Sequence, residues 1–195
     1  MKQSLLSNRR INMWPHTVAI LIGGQSKRMG SPKHLVTLPS GQSMLETMIA
    51  FAKKIATTTV IVGGEVEGIC SVLDRRTLHG PVAGIEALLA SEIDSQYLVV
   101  GCDMPYLQPI HVEPLLECNG NAVFTFEKHT LGLPLKIHTD ELVHCTAYLD
   151  SGRKSIRGFI GELTHTTIVL PSEFRNSVTS LNSKEEISKS FGDNR

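Results

Sequence analysis

The chain has 195 residues, of which 41% are hydrophobic and 19% charged, and this composition is typical of one globular domain. It excludes an intrinsically disordered chain and a collagen-like repeat. Lys plus Arg and Asp plus Glu number 19 each, so the formal net charge is zero. A neutral chain has no overall positive field to hold nucleic acid or an anionic membrane, and we expect neither as a partner. Any anionic ligand must therefore be bound by a local group of cations.

Four cysteines without a Cys-x-x-Cys pair predict free thiols in a reducing cytosol. The apolar run Thr17–Ile22 is far shorter than the roughly 20 residues of a membrane span, and residues 1–15 lack the apolar core of a signal peptide. We therefore expect a cytoplasmic protein. An N-terminal extension over residues 1–15, whose order the sequence leaves open, precedes a single domain over residues 16–191.

The predicted elements alternate between strands and helices. Thr17–Ile22 is a continuous apolar run, the pattern of a strand buried on both faces of a parallel sheet. Ser43 and Glu46 have the spacing of a capping box, and the apolar residues after them recur at helical intervals as far as Thr57. A β-branched strand over 58–62 completes a strand, helix, strand unit. The later predictions are a helix from Pro81 to Leu89, strands over 97–100, 122–126, 133–137 and 166–170, and helices over 141–149, over 155–163 and from Ser183.

This alternation predicts an open α/β sheet with helices on both faces. In such sheets ligands bind beyond the carboxyl ends of the strands. The loops that follow strands are therefore the places to search for functional residues.

The segment 23–33 follows the first strand directly and contains three glycines and three cations. Glycines let successive backbone N–H groups point at one anion, while Arg28 and Lys33 supply positive charge for phosphate oxygens. The segment matches neither the P-loop nor the dinucleotide-binding fingerprint. From glycines and charges alone, a glycine-rich turn with a solvated basic tip remains an equal alternative.

Two acidic residues follow other strands. Asp103 comes just after the predicted strand 97–100, and one carboxylate suffices for Mg²⁺ when substrate phosphates supply further oxygens. The alternative is an aspartate that ends the strand or caps the helix after Gln108. Asp74 follows a possible short strand, and from its position alone it is a candidate surface turn residue.

Three motifs, taken in order, resemble a known family. Leu21–Lys33 reads Leu-x-Gly-Gly-x-Ser-x-Arg-Met-Gly-x-x-Lys, Gly80–Ile85 reads Gly-Pro-Val-Ala-Gly-Ile, and Cys102–Leu107 reads Cys-Asp-Met-Pro-Tyr-Leu. Together they resemble the nucleotidyltransferases that build molybdopterin dinucleotides, closest to the MobA-like molybdenum cofactor guanylyltransferases. Weaker likeness continues through 152–157 and 182–187. The resemblance implies a Rossmann-like three-layer sandwich with a mostly parallel mixed sheet, similar to nucleotide-diphospho-sugar transferases.

The resemblance also implies roles for individual residues. Arg28, Lys33 and Asp103 would be catalytic, and Asp103 would hold Mg²⁺. The nucleotide would be bound by Leu21, Ile22, Gly23, Gly24, Lys33, Asp74, Gly80, Pro81, Gly84 and Asp103. The acceptor would be bound by Pro134, Arg153 and Asn182.

The activity implied is transfer of GMP from GTP to molybdopterin that carries molybdenum, with release of pyrophosphate. Other cofactor-assembly proteins and molybdoenzymes are implied as partners. Gly23 favours GTP over CTP because a purine needs close backbone approach. Cytidylyl transfer, sugar-phosphate nucleotidyl transfer and a non-catalytic GTP-binding regulatory protein remain alternatives.

The chain departs from the family pattern at a few positions. Ile22 stands where the family usually has alanine, and Gly63 where it often has asparagine. Ser180 replaces the first asparagine of an Asn-x-Asn motif, and Leu133 replaces a polar residue before Pro134. These departures make the acceptor contacts less secure than the nucleotide contacts.

Overall fold

A computed structural model describes residues 13–22, 33–76, 80–181 and 186. Within these ranges a seven-stranded sheet has the order β3-β2-β1-β4-β6-β5-β7. Its strands are β1 Trp14–Leu21, β2 Ala56–Val62, β3 Cys70–Val72, β4 Gln96–Gly101, β5 Ala122–Phe126, β6 His129–His138 and β7 Thr166–Val169. The α-helices whose bounds the structure describes are α1 Met44–Ile55, α2 Pro81–Leu89, α3 Pro109–Glu117, α4 Leu142–Asp150 and α5 Ile156–Ile160.

The sheet is mixed. β3, β2, β1 and β4 are parallel neighbours, and β5 is parallel to β7, whereas β6 is antiparallel to both β4 and β5. Because β6 reverses direction, its amino-terminal part lies at the same edge of the sheet as the carboxyl ends of the parallel strands. This edge, where Leu21, Val62 and Gly101 stand in register, is called the carboxyl edge below.

Helices cover both faces of the sheet. The apolar residues of α1 and α3 pack with Val18 and Ile20 of β1 on one face. Those of α2, α4 and α5 pack with Ala19 and Leu21 on the other. Successive residues of β1 therefore point into two separate cores, and this explains its uninterrupted apolar run. The predicted three-layer α/β sandwich is confirmed.

Several elements differ from the sequence prediction. α5 ends at Ile160, short of Leu163, because Gly161 caps it and a tight turn follows. β6 begins at His129 although Gly132 and Pro134 interrupt its apolar pattern. α3 is the helix expected after Gln108, and it contains Pro114. The helix predicted from Ser183 lies outside the described residues, apart from Glu186.

All four cysteines lie within the described residues and none of them forms a disulfide, as predicted. Cys102 and Cys145 are buried, and burial raises the pKa of the Cys145 thiol to about 12.

In the part of the chain that the structure describes, no helix is long and apolar enough to cross a membrane.

Candidate functional site

Four parallel strands end together at the carboxyl edge. The Ile22 amide donates to the Val62 carbonyl at 2.9 Å, and the Cys102 amide donates to the Leu21 carbonyl at 3.0 Å. The Gly63 amide continues this series to the Val72 carbonyl at 2.9 Å. These bonds align the strand ends, so the loops after β1, β3 and β4 leave from one edge.

Asp103 lies two residues beyond β4 on this edge and is half-buried. A Cβ placed on Gly101 would lie 2.5 Å from Asp103 Oδ1, so the missing side chain of Gly101 is what leaves room for the carboxylate. Gln108, whose backbone amide donates to His111 Nδ1 at 3.0 Å, is the N-cap of α3. The alternative in which Asp103 caps that helix is therefore excluded.

Asp74 lies two residues beyond β3 and close to α2. Its Oδ1 is 3.2 Å from the position that a Gly84 Cβ would take, and the same position is 3.4 Å from Leu21 Cδ2. The residue as a whole is exposed, but partial burial raises the pKa of its carboxyl. The structure therefore brings together three residues predicted to bind nucleotide, Leu21, Asp74 and Gly84.

Gly80 and Pro81 begin α2 at the same edge. Gly80 is the N-cap with φ +70°, a conformation that glycine adopts without strain, and Pro81 is in the first turn as predicted. A Cβ at Gly80 would lie 3.6 Å from the Lys154 carbonyl oxygen. The start of α2 thus adjoins the loop before α5.

A cavity of about 570 Å³ lies beside this point. The start of β6, the start of α5 and the segment 175–180 form its walls. Of the described residues that line it, Lys154, Arg157 and Arg175 are cations and none is acidic. The remaining lining residues are Pro81, Leu131, Gly132, Leu133, Ser155, Ile156, Val178, Thr179 and Ser180.

The two predicted acceptor residues that the structure describes, Arg153 and Pro134, are not among the residues that line the cavity. Arg153 is paired with Glu162, donates to Ser151 Oγ at 2.7 Å and stacks on Tyr148 at 4.3 Å, and it does not line the cavity. Pro134 is buried in β6, after a cis peptide bond. Asn182 lies outside the described residues. Roles for these three residues remain predictions.

The predicted phosphate-binding loop is also not described. Gly23, Gly24 and Arg28 lie outside the described residues, and of Lys33 only the backbone is described, at the start of a 3₁₀ turn. The predicted position of Arg28 and Lys33 opposite Asp103 remains a prediction.

The cavity cations were missed from the sequence. Lys154 and Arg157 stand in the segment 152–157, which shares the weaker likeness to the family. Lys154 precedes the N-cap Ser155 of α5, and Arg157 is the second residue of that helix. Arg175 gave no signal, because a charged residue in a loop usually faces solvent.

Comparison with known proteins adds to this geometry. A family model described as "MobA-like NTP transferase domain" matches residues 18–167. The chain belongs to this family. The predicted nucleotidyltransferase is thereby confirmed, and the family implies a divalent metal ion for catalysis.

Individual relatives agree with the family. A molybdenum cofactor guanylyltransferase of Xanthomonas euvesicatoria pv. vesicatoria is 26% identical over 92% of this chain and 96% of its own length. A probable molybdenum cofactor guanylyltransferase of Pelotomaculum thermopropionicum is 35% identical over 48% of this chain and 47% of its own length.

A solved structure shows the same fold. The molybdopterin-guanine dinucleotide biosynthesis protein A of Archaeoglobus fulgidus superposes with a TM-score of 0.72 at 20% identity. The superposition covers 89% of this chain and 96% of that one.

Proposed function

We propose that this protein transfers GMP from GTP to the phosphate of molybdenum-carrying molybdopterin and releases pyrophosphate. The observation that carries the proposal is the gathering of Leu21, Asp74, Gly84 and Asp103 at one edge of the sheet, in a chain of this family. The names of the relatives support GTP and molybdopterin as the substrates.

In the proposed reaction an oxygen of the acceptor phosphate attacks the α-phosphorus of GTP. A new P–O–P bond forms, the bond between the α-phosphorus and the bridging oxygen breaks, and pyrophosphate leaves with the electron pair. No general base is needed, because a phosphate monoester is already ionised near neutral pH. The protein's task is therefore to position two anions and to offset their repulsion.

The residues present fit Mg²⁺. Asp103 offers a half-buried carboxylate in the space left by Gly101. Among the described residues no three His, Cys, Asp or Glu side chains form a metal-binding group. A magnesium ion does not need one, since it binds to one or two carboxylates plus phosphates and waters. When bound, the ion would neutralise charge that develops on the phosphate oxygens.

The nucleotide would lie along the carboxyl edge, between β3 and β4. Gly84 lets α2 approach the ends of β1 and β2, since a Cβ there would lie 3.0 Å from Val62 Cγ1. Arg28 and Lys33 would bind the phosphates from the loop after β1. A cytoplasmic location is part of this proposal, and four cysteines without a disulfide support it.

Pyrophosphate release tests the proposal. The purified protein is supplied with Mg²⁺ and either GTP or CTP, with and without metal-loaded molybdopterin. We expect release that requires both GTP and the acceptor. Release from CTP instead would indicate cytidylyl transfer, and release with a sugar phosphate in place of molybdopterin would indicate a sugar nucleotidyltransferase. Tight GTP binding without release under any of these conditions would indicate a regulatory protein.

A further inference from the structure

The cavity beside α2 has the properties of an anion-binding site. Among the residues that the structure describes, its lining includes the cations Lys154, Arg157 and Arg175 and no acidic side chain. Within the described ranges, neither Arg157 nor Arg175 forms an ion pair with a carboxylate. A concave site lined by one sign of charge concentrates ligands of the opposite sign. Its volume of about 570 Å³ is that of a small-molecule site.

Arg175 is held in place before any ligand arrives. Its Nη1 donates to Thr179 Oγ1 at 3.1 Å, and the same hydroxyl donates to the Arg175 carbonyl at 2.8 Å. The guanidinium carbon lies 5.1 Å from the centre of the Phe126 ring. A guanidinium has five N–H donors in a planar fork, so this arrangement orients the group and leaves donors for a phosphate.

The segment that carries Arg175 is itself anchored. The Phe174 ring lies 4.7 Å from the ring of His111 in α3, and Val178 and Leu181 are buried. A rigid wall of this kind lowers the entropy cost of ordering the arginine on binding.

The same segment reaches the candidate catalytic residue. The Leu181 amide donates to the Asp103 carbonyl at 2.8 Å, and the preceding residues Thr179 and Ser180 line the cavity. On the other side, Pro81 at the start of α2 also lines it. The cavity therefore adjoins both the nucleotide motif of α2 and the loop of Asp103.

We propose that Arg175 binds the phosphate of the acceptor and that Arg157 assists it, while Leu131, Leu133 and Ile156 contact the body of the acceptor. This assignment rests on the proposed function. The acceptor class is a phosphate monoester on an organic ring system with apolar faces, since the cavity combines cations with aliphatic walls. Arg175 is in these terms a substrate-binding residue, and Thr179 is a positioning residue that acts through it.

Steady-state kinetics with GTP and metal-loaded molybdopterin test the assignment. Arg175→Gln should raise the KM for molybdopterin by about 10- to 100-fold, the usual effect of losing a hydrogen bond to a charged group. The Kd for GTP, measured without acceptor, should remain within about twofold. Arg175→Lys should have an intermediate effect, because it retains the charge but not the fork.

Two further variants separate binding from folding. Thr179→Val keeps the shape but removes the hydroxyl that orients Arg175, so it should raise the KM for molybdopterin several-fold with little change in kcat. Lys54→Gln removes the same charge from the exposed last turn of α1, which leads into the opposite edge of the sheet, and should change neither constant. Thermal unfolding of each variant shows whether the fold is retained.

The outcomes distinguish the two proposals. Suppose that the parent protein turns over GTP and molybdopterin. If folded Arg175→Gln and Arg175→Lys then have the same KM for molybdopterin as Lys54→Gln, the assignment of Arg175 is wrong. The proposed function stands in that case. Should Arg175→Gln not fold, Arg175→Lys and Thr179→Val decide by the same comparison. If the parent releases no pyrophosphate with both substrates, the proposed function fails and this assignment fails with it.

Discussion

At the scale of single residues, the arrangement of the acidic side chains at the carboxyl edge depends on two glycines. Gly101 leaves the space that the Asp103 carboxylate occupies, and Gly84 leaves the space in which α2 meets Asp74 and Leu21. An added Cβ at Gly101 would lie 2.5 Å from Asp103 Oδ1 and must displace the carboxylate, and one at Gly84 would lie 3.0 Å from Val62 Cγ1, so a neighbour must give way slightly. Both glycines thus position an acidic side chain that follows a strand.

Gly101→Ala tests this dependence. The added methyl group would lie 2.5 Å from Asp103 Oδ1, so the carboxylate must move. Because the displaced atoms are the end of a flexible side chain, the thermal unfolding temperature should change little. The Mg²⁺ concentration for half-maximal pyrophosphate release should rise by about tenfold, the effect of about 1.4 kcal/mol of lost binding.

Two control variants accompany the measurement on Gly101→Ala. Asp103→Asn should lower kcat by about 10²- to 10³-fold, the range for loss of one charge-stabilising group, and abolish the response to Mg²⁺. Gly161→Ala, at a helix end where the nearest atom to an added Cβ is 3.4 Å away, should behave like the parent protein. An unchanged Mg²⁺ titration in both Asp103→Asn and Gly101→Ala would place the metal elsewhere.

At the scale of elements, the sequence was most informative where the signal is local. The α1 capping box is present as predicted, with the Glu46 amide donating to Ser43 Oγ at 3.1 Å and the Ser43 amide to Glu46 Oε2 at 2.6 Å. β5 has the predicted bounds. The predicted bounds of two elements were wrong. α5 is shorter than predicted because Gly161 caps it. β6 is longer than predicted because pairing with β4 and β5 extends it through Gly132 and Pro134.

Ser43→Ala tests the contribution of this capping box. We expect the free energy of unfolding to fall by about 1 kcal/mol at neutral pH, as for other N-cap serines. Hydrogen bonds from the Ser43 backbone and side chain lower the pKa of Glu46. A lowered pKa in the folded state means that the stabilisation is complete above the unfolded pKa and lost as the pH falls through the folded one.

The difference between Ser43→Ala and the parent should therefore shrink in acid. Urea unfolding at about pH 7 and about pH 3 measures it, since the ordinary pKa of glutamate lies between these values. Glu46→Gln is the matched control, because its stability relative to Ser43→Ala should increase as the pH falls. A difference between Ser43→Ala and the parent that is equal at both pH values would show that the Glu46 charge contributes nothing through the Ser43 hydroxyl.

At the scale of the whole molecule, the sequence placed motifs on loops but could not place loops beside one another. The end of β1, Asp74 and Gly84 could be assigned to one edge, because parallel strands end together. The cavity could not be predicted, because its walls come from residues as distant as Pro81 and Ser180. They meet only because β6 pairs antiparallel with β4, a long-range contact without a local signal.

Arg76 is another long-range connection, between the loop after β3 and two helices. Its Nε and Nη2 donate to the Glu86 carboxylate in α2 at 2.8 Å each, and its Nη1 donates to Asp150 at the end of α4 at 2.6 Å. These bonds raise the pKa of the Arg76 guanidinium. The side chain of Glu86 is only 6% exposed, so loss of Arg76 would leave a buried carboxylate without its ion-pair partner. Arg76 thereby fixes the loop that presents Asp74.

Arg76→Gln should lower the thermal unfolding temperature by several degrees, because it leaves the buried Glu86 carboxylate unpaired. Its affinity for GTP should also fall several-fold, since Asp74 loses its support. In the double variant Arg76→Gln/Glu86→Gln no buried charge remains, so part of the lost stability should return. Arg75→Gln is the matched control. Arg75 is next to Arg76 in the chain, but it is exposed, and its side chain donates to the Ala90 carbonyl at 3.4 Å. A double variant no more stable than Arg76→Gln would show that the unpaired Glu86 is not the cause of the loss.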